Sequence, residues 1–198
     1  MVISKDKKIA IDIVLLLPPE VVEKYIFVNS QLDNSNYVSF TNGYNPHITL
    51  GMGCVSVDSL ENLKNKIGNI SQKTKPLELS ISGFVADNSS FEILKNQEIK
   101  NLHFSIMKVL EEIASYGNAS SEMFYESEKV SKDSGLVNWV SNFNTEHSKD
   151  MYSPHISLGK GNKISMDFPI EFVSDTIGIF HLGQNGTCKE KLAEFILK

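Results

Sequence analysis

The sequence predicts an α+β protein with antiparallel sheets, organised as two distantly related halves. Three observations carry this expectation. Helical and strand periodicities interleave along the whole chain. Several strands lie in short, hairpin-like sequence, which suits antiparallel pairing better than a doubly wound parallel sheet. One short string also occurs twice. Residues 45–51 read Asn-Pro-His-Ile-Thr-Leu-Gly and residues 153–159 read Ser-Pro-His-Ile-Ser-Leu-Gly, one copy in each half. A distant internal duplication would leave such a pair; outside the two strings the halves are barely similar.

The first half begins with an apolar run at 9–17, expected as a buried strand. Lys5, Lys7 and Lys8 before it imitate the basic start of a secretory leader. Asp12 interrupts the apolar run, however, and no small-residue cleavage site follows, so a strand is expected. Pro18-Pro19 suits the start of a helix over about 19–31. The first histidine string forms a strand at about 46–55. A helix follows over about 58–71, where Leu60, Leu63, Ile67 and Ile70 recur at helical spacing. Asp58, with Glu61 three residues on, resembles a capping box. Leu77, Leu79 and Ile81 alternate with polar residues in a half-buried strand at about 77–85, and a further strand is expected at 90–95.

The second half opens with a helix over about 98–116, striped by Ile99, Leu102, Ile106, Leu110 and Ile113. A Ser- and Glu-rich stretch follows at 115–134. It is expected as a crossover between lobes, with a lid carrying Phe124 and Tyr125 as the alternative. Leu136, Val140 and Phe143 mark a helix over about 134–146. The second histidine strand is expected at about 152–159, and two last strands at about 171–183 and 190–197. The 198 residues thus read as one bilobal domain, with lobes at roughly 1–97 and 98–198 and room for strand exchange between them.

Composition narrows the function classes. The chain is 41% apolar and 22% charged, the balance of an ordinary globular protein. Cys54 and Cys188 cannot build a disulfide framework and fit a reducing, cytoplasmic setting. No run is long enough to span a membrane. All 19 basic residues are lysine, so no guanidinium can clamp a phosphate or a guanine edge. A net charge of −5 with no basic run argues against a long nucleic-acid track. A small nucleotide or an oligonucleotide end is the more plausible anionic partner, and the protein is expected to be a monomer.

The duplicated string carries the chemistry. In a strand, side chains at i and i+2 share a face. His47 therefore sits beside Thr49, and His155 beside Ser157, with Ile48, Leu50, Ile156 and Leu158 on the opposite, core face. Histidine is the side chain best suited to proton traffic near neutral pH. Two imidazoles flanking a phosphate can act as base and acid in one turnover, while the two hydroxyls donate to its non-bridging oxygens. Gly51 and Gly159 would let backbone or substrate approach closely.

His-Ile-Thr at 47–49 and His-Ile-Ser at 155–157 resemble the two His-x-Thr/Ser signatures of the two-histidine (2H) phosphoesterase superfamily, the 2′-5′ RNA ligase-like proteins. The resemblance covers most of the chain, and Phe180–Cys188 resembles the closing strand region of some members. It implies a bilobal, pseudo-symmetric (LigT-like) fold whose antiparallel sheets line a central cleft with helices outside. It also implies metal-independent cleavage of 2′,3′-cyclic phosphates or 2′-5′ phosphodiester bonds. His47 and His155 would be catalytic, with Thr49 and Ser157 holding the phosphate. Serine in the second motif and the absence of arginine are departures that leave the substrate open.

Other residues are weaker candidates. Tyr44 and Tyr152 each precede a motif histidine by three residues, which suits base stacking or edge-of-sheet packing alike. Lys160 and Lys163 would favour an anion. His181, on a late strand, is within possible reach of the cleft but reads first as structural; His103 and His147 read as bystanders. No metal or other cofactor is expected, because zinc wants three or four ligands and no Cys or carboxylate recurs beside both motifs. Two alternatives stand beside the phosphodiesterase: a protein that binds and sequesters a nucleotide without turning it over, and an enzyme degrading cyclic oligonucleotide defence signals.

Overall fold

A computed structural model describes residues 7–32, 45–85, 89–132, 134–159 and 164–198. In chain order the regular elements are β1 (Lys8–Leu16), α1 (Pro19–Asn29), β2 (His47–Ser56), α2 (Leu60–Ser71), β3 (Leu77–Phe84) and β4 (Ser90–Ile93). They continue with α3 (Gln97–Ile113), α4 (Gly135–Glu146), β5 (His155–Ser157), β6 (Ile170–Ser174), β7 (Thr176–Leu182) and β8 (Cys188–Ile196). The strands form two four-stranded sheets, ordered β2-β1-β7-β8 and β5-β4-β3-β6. Every pairing is antiparallel, as the sequence predicts. Each sheet takes two strands from residues 1–97 and two from 98–198.

The apolar run of β1, interrupted by Asp12, is explained by burial on both faces. Ile9, Ile11, Ile13 and Leu15 enter the main core, where Leu63 and Ile67 of α2 and Ile99, Leu102, Ile106 and Leu110 of α3 also lie. On the other face, Val14 and Leu16 cluster with Phe180 and Cys188. Asp12 lies on that second face and is fully buried. Among the described residues no helix is long and apolar enough to cross a membrane.

Three local expectations differ from the structure. The single strand expected at 171–183 is two strands, β6 and β7, which belong to different sheets and are separated only by Asp175. Both carry strand-like sequence and no Gly or Pro marks the switch, so the periodicity runs through it. The second histidine strand spans three residues rather than eight, because β5 is an edge strand whose ladder, among the described residues, is confined to Ser90–Glu92. The expected Asp58–Glu61 capping box does not form. Ser56 instead accepts a hydrogen bond from the Asp58 amide, one 3-10 turn precedes α2, and Glu61 pairs with Lys64. Asn96 and Ser134 cap α3 and α4 by accepting from the amides of Ile99 and Val137.

Candidate active site

β2 and β5 are edge strands of different sheets, and they lie against each other. Their contact brings the two distant strings together. His47, Thr49, His155 and Ser157 all line one cavity of about 940 Å³. Leu136, Trp139 and Phe143 of α4 form one wall, and Gln184–Gly186 another. This volume lies at the upper end of the range usual for small-molecule sites.

The two histidines are held in the same way. His47 Nδ1 donates to the Asn45 carbonyl at 2.6 Å, and His155 Nδ1 donates to the Ser153 carbonyl at 2.9 Å. A carbonyl can only accept, so Nδ1 carries hydrogen in both rings and Nε2 is the atom left to exchange a proton. Further bonds lock the strings to their surroundings. Tyr152 donates its hydroxyl to the Thr49 carbonyl, Asn29 donates to the Leu158 carbonyl, and Asn45 donates to the Cys188 carbonyl. Gly159 has φ +112°, a conformation that favours glycine.

A bulge changes which residues of β2 face the cavity. Ile13 and Val14 of β1 pair with Gly51 and Thr49, so Leu50 is the extra residue. Beyond it the alternation inverts, and Met52 joins His47 and Thr49 on the cavity wall. Gly51 turns to α3: a Cβ there would lie 2.9 Å from Leu110 Cδ1. The glycine serves helix packing rather than substrate approach.

The site is less symmetric than its motifs. Asp12 Oδ2 lies 3.5 Å from His47 Nε2 and accepts a 2.9 Å bond from the Thr49 hydroxyl. Cys188 Sγ lies 3.8 Å from the same Nε2. Among the described residues, no carboxylate is paired with His155. Burial pushes the Asp12 carboxyl above its usual range, opposed in part by His47 and Thr49. Burial likewise raises the Cys188 thiol. The native state therefore holds the Asp12 proton more tightly than the unfolded chain does. Its contribution to stability falls as pH rises from the unfolded value of about 3.9 through the raised one. Asp12→Asn is expected to melt above wild type at pH 8, by about 2–4 °C per kcal/mol relieved, with the gap closing toward pH 4. Thermal melts at both pH values check this, and an equal gap at both would refute it.

The remaining sequence candidates separate. Tyr152 lines the cavity, but its ring is buried and stacked on His103 at 3.8 Å. His181 is not among the cavity-lining residues; it lies between Glu190 and the Met123 carbonyl. Tyr44, Lys160 and Lys163 lie outside the described residues. Phe124 is buried in the core and Tyr125 packs edge-on against His181, so neither forms the aromatic lid weighed for 115–134. That stretch does supply Lys129, Val130, Ser131 and Ser134 to the cavity. His147, read as a bystander, lines the cavity with its ring stacked on Trp139 at 3.4 Å. Asp12 and Cys188 were also missed, since neither is near a motif in sequence. The only signal was a charge inside the apolar run of β1.

No known protein-family profile matches the chain, and no curated protein matches it. Solved structures do. E. coli LigT complexed with NADP+ superposes with a TM-score of 0.59 at 14% identity, covering 98% of this chain and 99% of that one. TT0787 of Thermus thermophilus gives 0.61 at 12% identity, covering 96% and 98%. A structure described as a phosphoesterase gives 0.57 at 14% identity, covering 96% and 98%. The likeness is one of fold, and it extends over nearly the whole length of each chain.

Proposed function

We propose, from the LigT-like two-histidine phosphoesterase fold that this chain has, that it is a metal-independent phosphodiesterase acting on small nucleotides or oligonucleotide ends. Its bond would be a 2′,3′-cyclic phosphate or a 2′-5′ phosphodiester. The observation that carries the reading is the meeting of two His-x-Thr/Ser strings, far apart in sequence, on the wall of one cavity with both Nδ1 atoms already committed to carbonyls. The bound NADP+ of the E. coli LigT structure is in keeping with a nucleotide in this cavity.

In the mechanism, one imidazole Nε2 takes a proton from the attacking water or ribose hydroxyl. The other gives a proton to the departing ribose oxygen, and hydroxyl donors face the non-bridging oxygens. The raised Asp12 carboxyl and the adjacent imidazole form a unit that retains a proton, whichever partner carries it. We therefore assign His47 as the acid and His155 as the base.

The test is incubation in EDTA with a 2′,3′-cyclic nucleotide and a 2′-5′ oligoadenylate, with products identified by ³¹P NMR. Turnover is expected, and the product names the bond cleaved. Tight binding of either compound without turnover, surviving in the double His→Ala variant, would replace this reading with nucleotide sequestration. Turnover only of a cyclic oligonucleotide would move the substrate to that class of signal.

A further inference from the structure

We propose that Asp12, His47 and Cys188 form a binding site for a thiophilic divalent cation of the zinc class, and that an ion there shuts off the proton carrier of the first motif. The three ligand atoms, a carboxylate oxygen of Asp12, Nε2 of His47 and Sγ of Cys188, lie within 4.8 Å of one another, and all three residues are buried. Ordinary tetrahedral zinc bonds give ligand–ligand edges of about 3.3 Å for N–O and about 3.6 Å for N–S. The corresponding separations here are 3.5 and 3.8 Å. The two pairs that include Nε2 thus need to close by only ~0.2 Å around an ion, and the carboxylate–thiol pair lies within 4.8 Å.

A second observation points the same way. Asp12 Oδ1 is fully buried and has no hydrogen-bond partner. An orphaned carboxylate oxygen is costly in a protein interior; a cation held by Oδ2 would neutralise the buried carboxylate, and one held by both oxygens would also satisfy Oδ1. The donor set is also selective. A thiolate and an imidazole suit zinc, whereas magnesium and calcium want oxygen ligands. The His47 Nδ1 bond to the Asn45 carbonyl orients the ring and directs Nε2 to the ion, as outer carbonyls do in metal sites. Binding releases to solvent both the thiol proton and the proton that the Asp12–His47 unit retains. The open fourth position is left to water.

An ion so held occupies the nitrogen that the phosphodiester reaction needs for its proton. The effect on turnover therefore rests on the phosphodiesterase reading, while the binding does not. Cobalt(II) is the probe, because a cobalt–thiolate bond gives a charge-transfer absorption that carboxylate and imidazole ligands alone do not. Titration of the purified full chain is expected to give one cobalt per chain with that absorption, displaced by zinc and abolished by EDTA. Cys188→Ser should remove the absorption and weaken affinity by more than the about 10–100-fold that outer-shell changes cost. Cys54→Ser and His155→Ala should retain both, with circular dichroism checking the fold of each variant. Absence of a stoichiometric site, or an absorption that survives Cys188→Ser or vanishes with Cys54→Ser, overturns the proposal. Where turnover is present in EDTA, stoichiometric zinc is expected to abolish it and excess EDTA to restore it; full activity with zinc bound overturns the inhibitory role alone. Cobalt binding without turnover under any condition would support the site and remove the phosphodiesterase reading, so the two fail separately.

Discussion

His155→Ala and His47→Ala are each expected to lower kcat/KM toward the proposed nucleotide substrate by about 10²–10⁴-fold, the usual worth of a positioned general acid or base. The expectation follows from geometry. Each ring reaches the same cavity, and each is fixed by a carbonyl that leaves only Nε2 for proton exchange. The double variant should lose little more than the worse single one, because acid and base act in one event and their losses do not add. Wild type should give a bell-shaped pH–rate profile, since one imidazole starts neutral and the other charged. Each single variant should lose one limb of that bell. Steady-state kinetics across pH 5–9, with circular dichroism to establish folding, checks all of this. A flat wild-type profile, or wild-type turnover in either variant, would remove the two-histidine mechanism.

His103→Ala should cost about 2–4 kcal/mol of folding stability, although the residue lies outside both motifs. His103 is fully buried. Its Nδ1 donates to the Leu50 carbonyl at 2.7 Å, and its Nε2 accepts from the Lys149 amide at 2.8 Å. Its ring stacks face to face on Tyr152. Alanine leaves a void and two unpaired backbone groups, one of them at the β2 bulge. Burial lowers the pKa of His103, so the folded protein keeps it neutral. The stability tied to this is present above the unfolded value of about 6.5 and is lost as pH falls from there through the lowered one. Denaturant melts should therefore show wild type weakening between pH 6.5 and 5 more steeply than the variant. Parallel slopes would mean that the buried imidazole is not the group responsible. A fall in turnover should accompany the stability loss, because Tyr152 passes its position on to the Thr49 carbonyl.

The expected architecture and the central pair were legible for a simple reason. A heptad repeated in strand-like context specifies both the paired residues and the face that they share. The order of helices and strands was readable because stripes such as Ile99–Leu102–Ile106–Leu110 and alternations such as Leu77–Leu79–Ile81 are local patterns. What depended on sheet order was not readable. Asp12 and Cys188 reach His47 only because β1 lies next to β2, and because Asn45 ties the start of β8 to the first motif. Asp12 had a visible signature, an acid in a buried strand, but it counted only against a leader peptide. The bulge at Leu50 left no trace in a sequence that alternates regularly, so Gly51 was assigned to the wrong neighbour. Trp139 and His147 share a stripe of α4 and its end, where an aromatic row reads as core and gives no hint of a cavity wall.

The interleaving of strands between the two sheets bears on how the protein is made. β2 follows β1 closely in the chain and pairs with it, but the other edge of β1 stays bare until residues 176–182 leave the ribosome. β3 likewise waits for β6. Neither sheet can be completed by the first half of the chain, and the long-range pairings postpone closure. Folding of the first half ahead of the second is therefore denied to these residues. The growing chain carries unpaired strand edges until residues 170–182 follow, and is exposed to aggregation in that interval. The cavity, whose walls include the turn at 184–186, comes into being only after that turn has been made.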